Sequence, residues 1–381
     1  MTHILDAAVL GAGLAGSSIA KALADKGWET LLLDRQAFPR HKVCGEFLSP
    51  ESQSTLQALG IHEFVGELGH REIERIRIIF ENGGEVELSL PGCAWGLSRY
   101  SLDSALHQAA EQAGARLQKG VTVTAVHPTA RGYIIHSKQG GEARSIEARA
   151  VIAAWGTSRR SGLPGYQRHA SVKHSYVGVK SHFRGIAMDP VIELYFFRGG
   201  YLGLCPIEGG LVNVSALLER EAAVDAGKTI LAIINGAATR NPKLHERLRL
   251  AEPVSGSQAA VAPVYLNRKP LAWDQLPLLG DAGAMIPPLC GDGMSMALRS
   301  AALCAPLADS YLSGNLTMAD WRHAYTKSIN REFKGPLRWG GILQWLFGAP
   351  AVSDWLPSAA RLAPGLAQAL VQATRIKPLR S

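Results

Sequence analysis

The feature that most constrains the fold is a glycine triplet near the N-terminus. Gly11-Ala12-Gly13-Leu14-Ala15-Gly16 follows the apolar run Ala7-Ala8-Val9-Leu10. It precedes residues 14–26, in which Ile19, Ala20, Leu23 and Ala24 share one helical face and Gly27 marks a stop. Thr30-Leu31-Leu32-Leu33 reads as a second buried strand ending at Asp34. Strand, loop, helix and strand within about 30 residues make a βαβ unit. In such a unit Gly11 allows the tight turn, Gly13 lets a pyrophosphate approach the backbone, and Gly16 lets helix and strand pack closely. The helix N-terminus offers unbonded N–H groups and partial positive charge to the diphosphate. Asp34 stands where an acid accepts hydrogen bonds from ribose hydroxyls. The loop therefore predicts a dinucleotide site in an α/β fold, without deciding which dinucleotide.

At 381 residues, 47% hydrophobic and 19% charged, the chain is globular, with the length of two domains or of one domain carrying a large insertion. Residues 51–60 read as a short helix. Ile73–Phe80 and Glu85–Leu90 read as a hairpin around Glu81-Asn82-Gly83-Gly84, and residues 101–113 as a helix. Strand-like runs follow near 121–126, 132–137 and 145–153. Strand-rich sections cover 172–217 and 254–265, with short helices near 220–235 and 241–249. A long apolar helix spans 292–313, and the Trp- and Leu-rich tail from 336 has helical spacing. This order predicts an α/β fold (α+β overall). A Rossmann-like cofactor domain (1–70, 96–165 and 270–335) is interrupted by an antiparallel β-sheet substrate domain (71–95 and 166–269), with a C-terminal helical tail (336–381).

Charge and cysteine usage narrow the partners. Forty Lys+Arg against 32 Asp+Glu give a net charge of +8, which fits an anionic cofactor. No dense basic tract with interleaved aromatics appears, so nucleic acid is not an expected partner. Cys44, Cys93, Cys205, Cys290 and Cys304 are odd in number and contain no Cys-x-x-Cys, and the twelve histidines lack ligand spacing. Neither a disulfide framework nor a metal site is expected. No signal peptide pattern precedes the first strand, and no apolar run reaches the roughly 18 residues that span a bilayer. We expect a cytoplasmic chain with at most peripheral membrane contact.

The cofactor is named by a later segment. Leu278-Leu279-Gly280-Asp281-Ala282-Gly283 is followed by Pro287-Pro288-Leu289-Cys290-Gly291-Asp292-Gly293-Met294. With these residues the sequence resembles the p-hydroxybenzoate hydroxylase and geranylgeranyl reductase superfamily of FAD proteins, over roughly residues 5–310. The resemblance implies FAD, with Asp281 on the ribityl chain. It implies that Gly291 and Gly293 open a helix whose N-terminus faces the flavin pyrimidine ring, where reduction places negative charge. It also implies that Arg99, in Arg99-Tyr100-Ser101-Leu102-Asp103, reaches the FAD diphosphate. The cofactor-binding set so implied is Gly11, Gly13, Ala15, Gly16, Asp34, Arg35, Lys42, Cys44, Gly45, Arg99, Val123, Gly156, Gly280, Asp281, Pro288, Gly291, Gly293 and Met294. Val151–Ser158 matches the family's Gly-Ala-Asp-Gly-x-x-Ser segment, with Trp155 in place of the Asp. In the hydroxylases that Asp region supports both FAD and pyridine nucleotide.

Two further segments bear on the reaction. His41-Lys42-Val43-Cys44-Gly45-Glu46-Phe47-Leu48-Ser49-Pro50 resembles the Cys-Gly segment of geranylgeranyl-type reductases and the Gly-Glu-x-Leu-x-Pro of flavin-dependent halogenases. Cys44 is a candidate proton donor, or a small buried hydrophobe. Gly200–Pro206 with Asn213-Val214 resembles the reductase stretch across from the flavin, which makes Tyr201 a pocket candidate beside a plain packing role. The halogenase Trp-x-Trp-x-Ile-Pro element is absent. No second Gly-x-Gly-x-x-Gly follows, so electrons come from NAD(P)H docking transiently, from a separate flavin reductase, or from the substrate. By fold-level analogy the expected reaction is monooxygenation of a hydrophobic aromatic or polyketide-like substrate through a flavin peroxide. The alternatives are C=C reduction with Cys44 giving the proton, halogenation, and a non-catalytic electron carrier at a membrane surface. The tail Trp339–Phe347 marks where a small hydrophobic substrate, free or carrier-bound, would approach, or else it packs on the cofactor domain.

Overall fold

The computed structural model describes residues 3–157, 162–167, 175–266, 268–348 and 364–379, so Ser158 of the family segment lies outside them. The chain opens with β1 (Ile4–Leu10), α1 (Leu14–Ala24) and β2 (Thr30–Asp34). Then come β3 (Phe47–Leu48), α2 (Ser52–Ala58), α3 (His62–Gly66), β4 (Arg71–Ile79), β5 (Glu85–Gly96) and α4 (Arg99–Gln112). β6 (Arg116–Lys119), β7 (Thr122–Thr129), β8 (Gly132–Gln139) and β9 (Glu142–Ala153) follow. The middle holds β10 (Tyr176–Arg184), β11 (Val191–Phe197), β12 (Gly200–Pro206) and β13 (Val212–Glu219). After it come α5 (Arg220–Ala226), α6 (Ile230–Ala238), α7 (Pro242–Leu248), β14 (Glu252–Pro253) and β15 (Ala259–Val264). The chain ends with α8 (Gly293–Leu312), α9 (Met318–Gly348) and α10 (Pro364–Ala373).

Two sheets carry these elements. The first has six strands in the order β6-β2-β1-β9-β8-β7. Its β6, β2, β1 and β9 run parallel, and the β7–β8–β9 meander is antiparallel. β1 is buried over Ala7–Leu10, as a strand covered on both faces must be. The second sheet has nine strands in the order β14-β10-β13-β12-β11-β4-β5-β3, with β15 also paired to β10. It is antiparallel except where β11 runs parallel to β4. That parallel pair follows from chain reach, since the whole β5–β10 stretch lies between them and acts as a long crossover.

Side chains alternate across the second sheet. Val179, Phe183, Leu202, Leu204, Val214 and Ala216 pack under α5–α7 with Ile234 and Ala237. The opposite face carries Phe80, Phe196, Tyr201 and Leu217, which meet Leu289, Phe347 and Val371. Paired residues share that face: Tyr201 with Leu217, Gly203 with Ser215, Cys205 with Asn213, Ser215 with Lys180, and Asn213 with His182. This face is thus apolar at one end and polar at the other.

The tail differs from the sequence expectation in where its helix begins. α9 starts at Met318 and runs through Pro336, whereas the spacing placed a separate helical segment from 336. A proline inside a helix removes one backbone bond and costs about 3 kcal/mol. Pro336 is itself buried, and Trp321, Tyr325, Ile329 and Phe333 anchor the preceding turns in the core.

Candidate active site

The loop after β1 is shaped by absent side chains. Gly11 has φ +111, and a Cβ there would fall 2.5 Å from the Ala154 carbonyl oxygen. A Cβ on Gly16 would fall 1.8 Å from the Gly11 oxygen. Only glycine permits both approaches. α1 then starts with no side-chain cap at Gly13, which leaves its N-terminus for another acceptor. Asp34 Oδ2 accepts the Ala12 N–H at 2.8 Å, so the acid at the end of β2 fixes the loop. Val121 N–H donates to the Asp34 carbonyl at 2.9 Å, which brings Val123 close to the same strand end.

Cationic side chains gather at this loop. Arg99 is buried, and its Nη2 lies 3.8 Å from where a Gly13 Cβ would sit. Burial works against its charge, but Asp103, bound at 2.9 and 2.8 Å, more than offsets this and raises the guanidinium above its ordinary range. Arg40 and Lys42 are half-buried, and burial lowers both. Arg35, Arg40, Lys42 and Arg99 thus face three carboxylates, Asp34, Asp103 and Asp281. Arg40 Nε is buried without a partner. A cradle that a Cβ would fill, an uncapped helix and an unpartnered buried guanidinium nitrogen fit a dinucleotide diphosphate.

The second FAD segment reaches the same place. Leu278 bridges to Ala153, and Leu279 N–H donates to the Ala153 carbonyl at 2.8 Å. This sets Gly280 beside α1, with its missing Cβ 3.6 Å from that of Ala15. Asp281 is half-buried and sits within electrostatic reach of Lys42 and Arg268. Gly291 has φ +74 and packs on the Phe47 ring, and α8 begins two residues later. Pro288 is exposed, and the Met294 side chain is core material beside Leu14, Leu48 and Leu298. Gly156 has φ +72 next to Trp155, which packs on the first sheet. Arg35 and Gly45 are exposed.

Cys44 and Tyr201 occupy different ends of the second sheet's inner face. Tyr201 lies 5.4 Å from Phe196 in the apolar cluster, and burial pushes its hydroxyl far up. Cys44 is half-buried, burial pushes its thiol up, and its Sγ accepts the Glu46 N–H at 3.4 Å. Asn213 Nδ2 donates to the Cys44 carbonyl at 2.9 Å, while its Oδ1 is buried without a partner.

Behind Cys44 lies a cluster that sequence reasoning missed. Glu46 and Lys180 are both 0% exposed. Lys180 Nζ donates to Glu46 Oε1 at 2.9 Å, and the Arg99 N–H donates to the same oxygen at 3.0 Å. His182 Nε2 is 2.7 Å from Glu46 Oε2 and 2.7 Å from Lys180 Nζ. One ring nitrogen can either donate to the carboxylate or accept from the ammonium, so the cluster has two proton arrangements. Burial pushes Glu46 up, but the bonds from His182 and Lys180 prevail and hold it below its ordinary range. Lys180 is lowered by burial. His41 Nδ1 lies 3.2 Å from Lys180 Nζ, and burial with the Lys180 charge lowers it to about 4. Its ring stacks on Tyr100, which is 40% exposed, at 4.8 Å. Glu46 holds φ +57, a left-handed conformation that costs a non-glycine residue about 1 kcal/mol. The only sequence signal was the Gly45-Glu46 pair itself.

Comparison with known proteins agrees with this geometry. A family model described as an FAD binding domain matches residues 5–315. Digeranylgeranylglycerophospholipid reductase 1 of Methanothermobacter thermautotrophicus is 29% identical over 332 residues, covering 83% of this chain and 80% of that protein. Menaquinone reductase of Mycobacterium tuberculosis is 28% identical over 326 residues, covering 80% and 76%. Among solved structures, the flavin-dependent brominase Bmp2 superposes with a TM-score of 0.78 at 17% identity, covering 98% of this chain and 93% of that one. That likeness concerns the fold. Among the described residues no helix is long and apolar enough to cross a membrane. With a family match over most of its length, and a loop, cation set and Gly280-Asp281 turn that meet at one place, the chain belongs to the FAD-binding oxidoreductase family.

Proposed function

We propose that this chain is a flavin ene-reductase that saturates carbon–carbon double bonds in a hydrophobic, isoprenoid-like substrate. The observation that carries the reading is the proton-holding cluster behind Cys44. Adding a hydride and a proton across a double bond requires an acid that keeps its proton at neutral pH. A thiol holds its proton at neutral pH, and burial pushes the Cys44 thiol further that way. Glu46, Lys180 and His182 store the replacement proton, and His41 links them to the surface beside Tyr100. FAD, when bound and reduced, supplies the hydride.

The chain's other residues bind and orient. Arg40, Lys42, Arg99 and the start of α1 hold the diphosphate, and Asp281 takes the ribityl hydroxyls. Tyr201, Phe196, Leu217 and Phe347 offer a dry apolar surface for the substrate chain. Two relatives, named a digeranylgeranylglycerophospholipid reductase and a menaquinone reductase, support this substrate class. Electrons arrive from transiently docked NAD(P)H or from a separate reductase, and the substrate is free or carrier-bound. Monooxygenation rests on the architecture alone and is the contrary outcome of the test.

The test is turnover of chemically reduced protein with menaquinone or a geranylgeranyl lipid, without oxygen, in heavy water. A product saturated at one double bond and carrying two solvent deuteriums is expected, because the transferable hydrogen of chemically reduced flavin is an N–H that exchanges with heavy water. C44A should retain FAD and slow product formation at least tenfold. An oxygenated product formed only in air, with no saturated product in its absence, overturns the proposal.

A further inference from the structure

The end of the chain returns to the cofactor side. Leu379 N–H donates to Ser54 Oγ at 3.2 Å, and the Lys377 carbonyl accepts from Arg299 Nη2 at 2.8 Å. Ile376 is buried in the core that includes β1 and α8 residues. These contacts push Arg375 inward, where it is 7% exposed. Its Nη1 lies 3.0 Å from Asp292 Oδ1 and 3.6 Å from Glu51 Oε2, and its guanidinium sits 5.7 Å from the Phe47 ring centroid. Asp292 is fully buried at the N-cap of α8, between Gly291 and Gly293. Its Oδ2, Arg375 Nε and Glu51 Oε2 are buried without hydrogen-bond partners.

A structural rivet satisfies its polar atoms. This cluster leaves three polar atoms without a hydrogen bond, so what it chiefly presents to its surroundings is charge. The magnitudes decide the sign. A helix N-terminus carries roughly +0.5 of a charge, and an unpaired carboxylate at the cap carries −1. Burial holds Asp292 up at about 7 even beside Arg375, so it ionises only from neutral pH upward. Once ionised it would turn the start of α8 negative, and Arg375, shared with Glu51 at 3.6 Å, offsets that charge. In a low-dielectric interior such a reversal is felt by neighbouring groups.

We infer that Arg375 is a positioning residue for the redox poise of the flavin: by neutralising Asp292 it keeps the N-terminus of α8 able to stabilise the negative charge of reduced FAD. The C-terminal segment thereby contributes to a site some 80 residues earlier in the chain, since Arg375 and Asp292 are 83 positions apart. The inference rests on the placement of the flavin ring against α8 that the family resemblance implies.

The experiment equilibrates FAD-loaded full-length protein with a reference dye at about pH 8.5, above the point where Asp292 ionises, and reads the ratio of reduced to oxidised flavin. At the wild-type midpoint, R375Q should lower that ratio at least tenfold, which is about 30 mV for a two-electron couple. D292N should raise it. The double variant R375Q/D292N, with neither charge, should lie within about threefold of wild type, and R375K should keep most of the wild-type ratio. A purely structural pair would change thermal stability without moving the two single variants in opposite directions. Both singles shifting the same way, or neither shifting while FAD stays bound, overturns the inference. Where R375Q fails to hold FAD, D292N and the double variant still decide it. A wild-type chain that binds no FAD would instead sink the flavin placement. Failure to reduce any double bond would leave these ratios intact and sink only the reaction.

Discussion

The loop after β1 and the cluster around Glu46 both adjoin Arg99, yet they are specified in opposite ways. The loop works through missing atoms: Gly11 and Gly16 let backbone touch backbone, and the ligand-binding groups are N–H groups that any sequence possesses. The cluster works through added atoms: a carboxylate, an ammonium and two imidazoles, drawn from segments as far apart as His41 and His182. The first resists any increase in volume. The second tolerates no loss of a partner, because each charge is buried and depends on the others.

Three substitutions sharpen this contrast. The largest effect belongs to the loop. G16V places carbon where the Gly11 oxygen sits, so we expect purified protein with less than a tenth of the wild-type flavin absorbance. Next comes the cluster. K180M removes the ammonium facing Glu46 and leaves the buried carboxylate only the His182 ring and the Arg99 N–H, which should cost about 3 kcal/mol, read as a lowered denaturation midpoint. Adding E46Q should recover most of that loss. If K180M alone proves neutral, the cluster does not depend on its pairing and the contrast with the loop fails. The smallest effect is a pH dependence. His41 is lowered to about 4 in the folded state from its ordinary 6.5. The unfolded chain therefore takes up its proton first on acidification. The stability linked to a neutral His41 is complete above about pH 6.5 and is lost as pH falls toward about 4. H41N should flatten that part of the stability profile, slightly, because the ring is half-exposed. An unchanged profile would remove His41 from the proton path.

The same contrast explains what could be read from residues alone. The βαβ unit, the Gly280-Asp281 turn and the long helix α8 were legible because each is written in a short local pattern: three glycines, a strand followed by Gly-Asp, a 20-residue apolar helix. Glu46 was visible only as part of a resemblance. Lys180 stands between Val179 and Ser181 in a strand, and nothing nearby announces that its ammonium meets a carboxylate from residue 46. Arg40 and Arg375 were missed for the same reason, since an arginine is ordinarily a surface residue and only tertiary packing buries it. Pro336 misled in the other direction. Read locally it breaks a helix, but the core contacts of Trp321, Tyr325 and Phe333 carry α9 through it.

That last helix has a mechanical meaning. Its 31 residues span about 46 Å. One end is fixed by Trp321 in the α/β core, and near the other end Phe347 rests 4.6 Å from Phe196 on the second sheet. α9 is therefore a strut braced against both sheets. A strut yields at its weakest rung, and that rung is Pro336, where one backbone bond is missing. Any widening of the apolar face to admit a long chain would load this rod, and bending at Pro336 would lift Phe347 while leaving the anchored half in place.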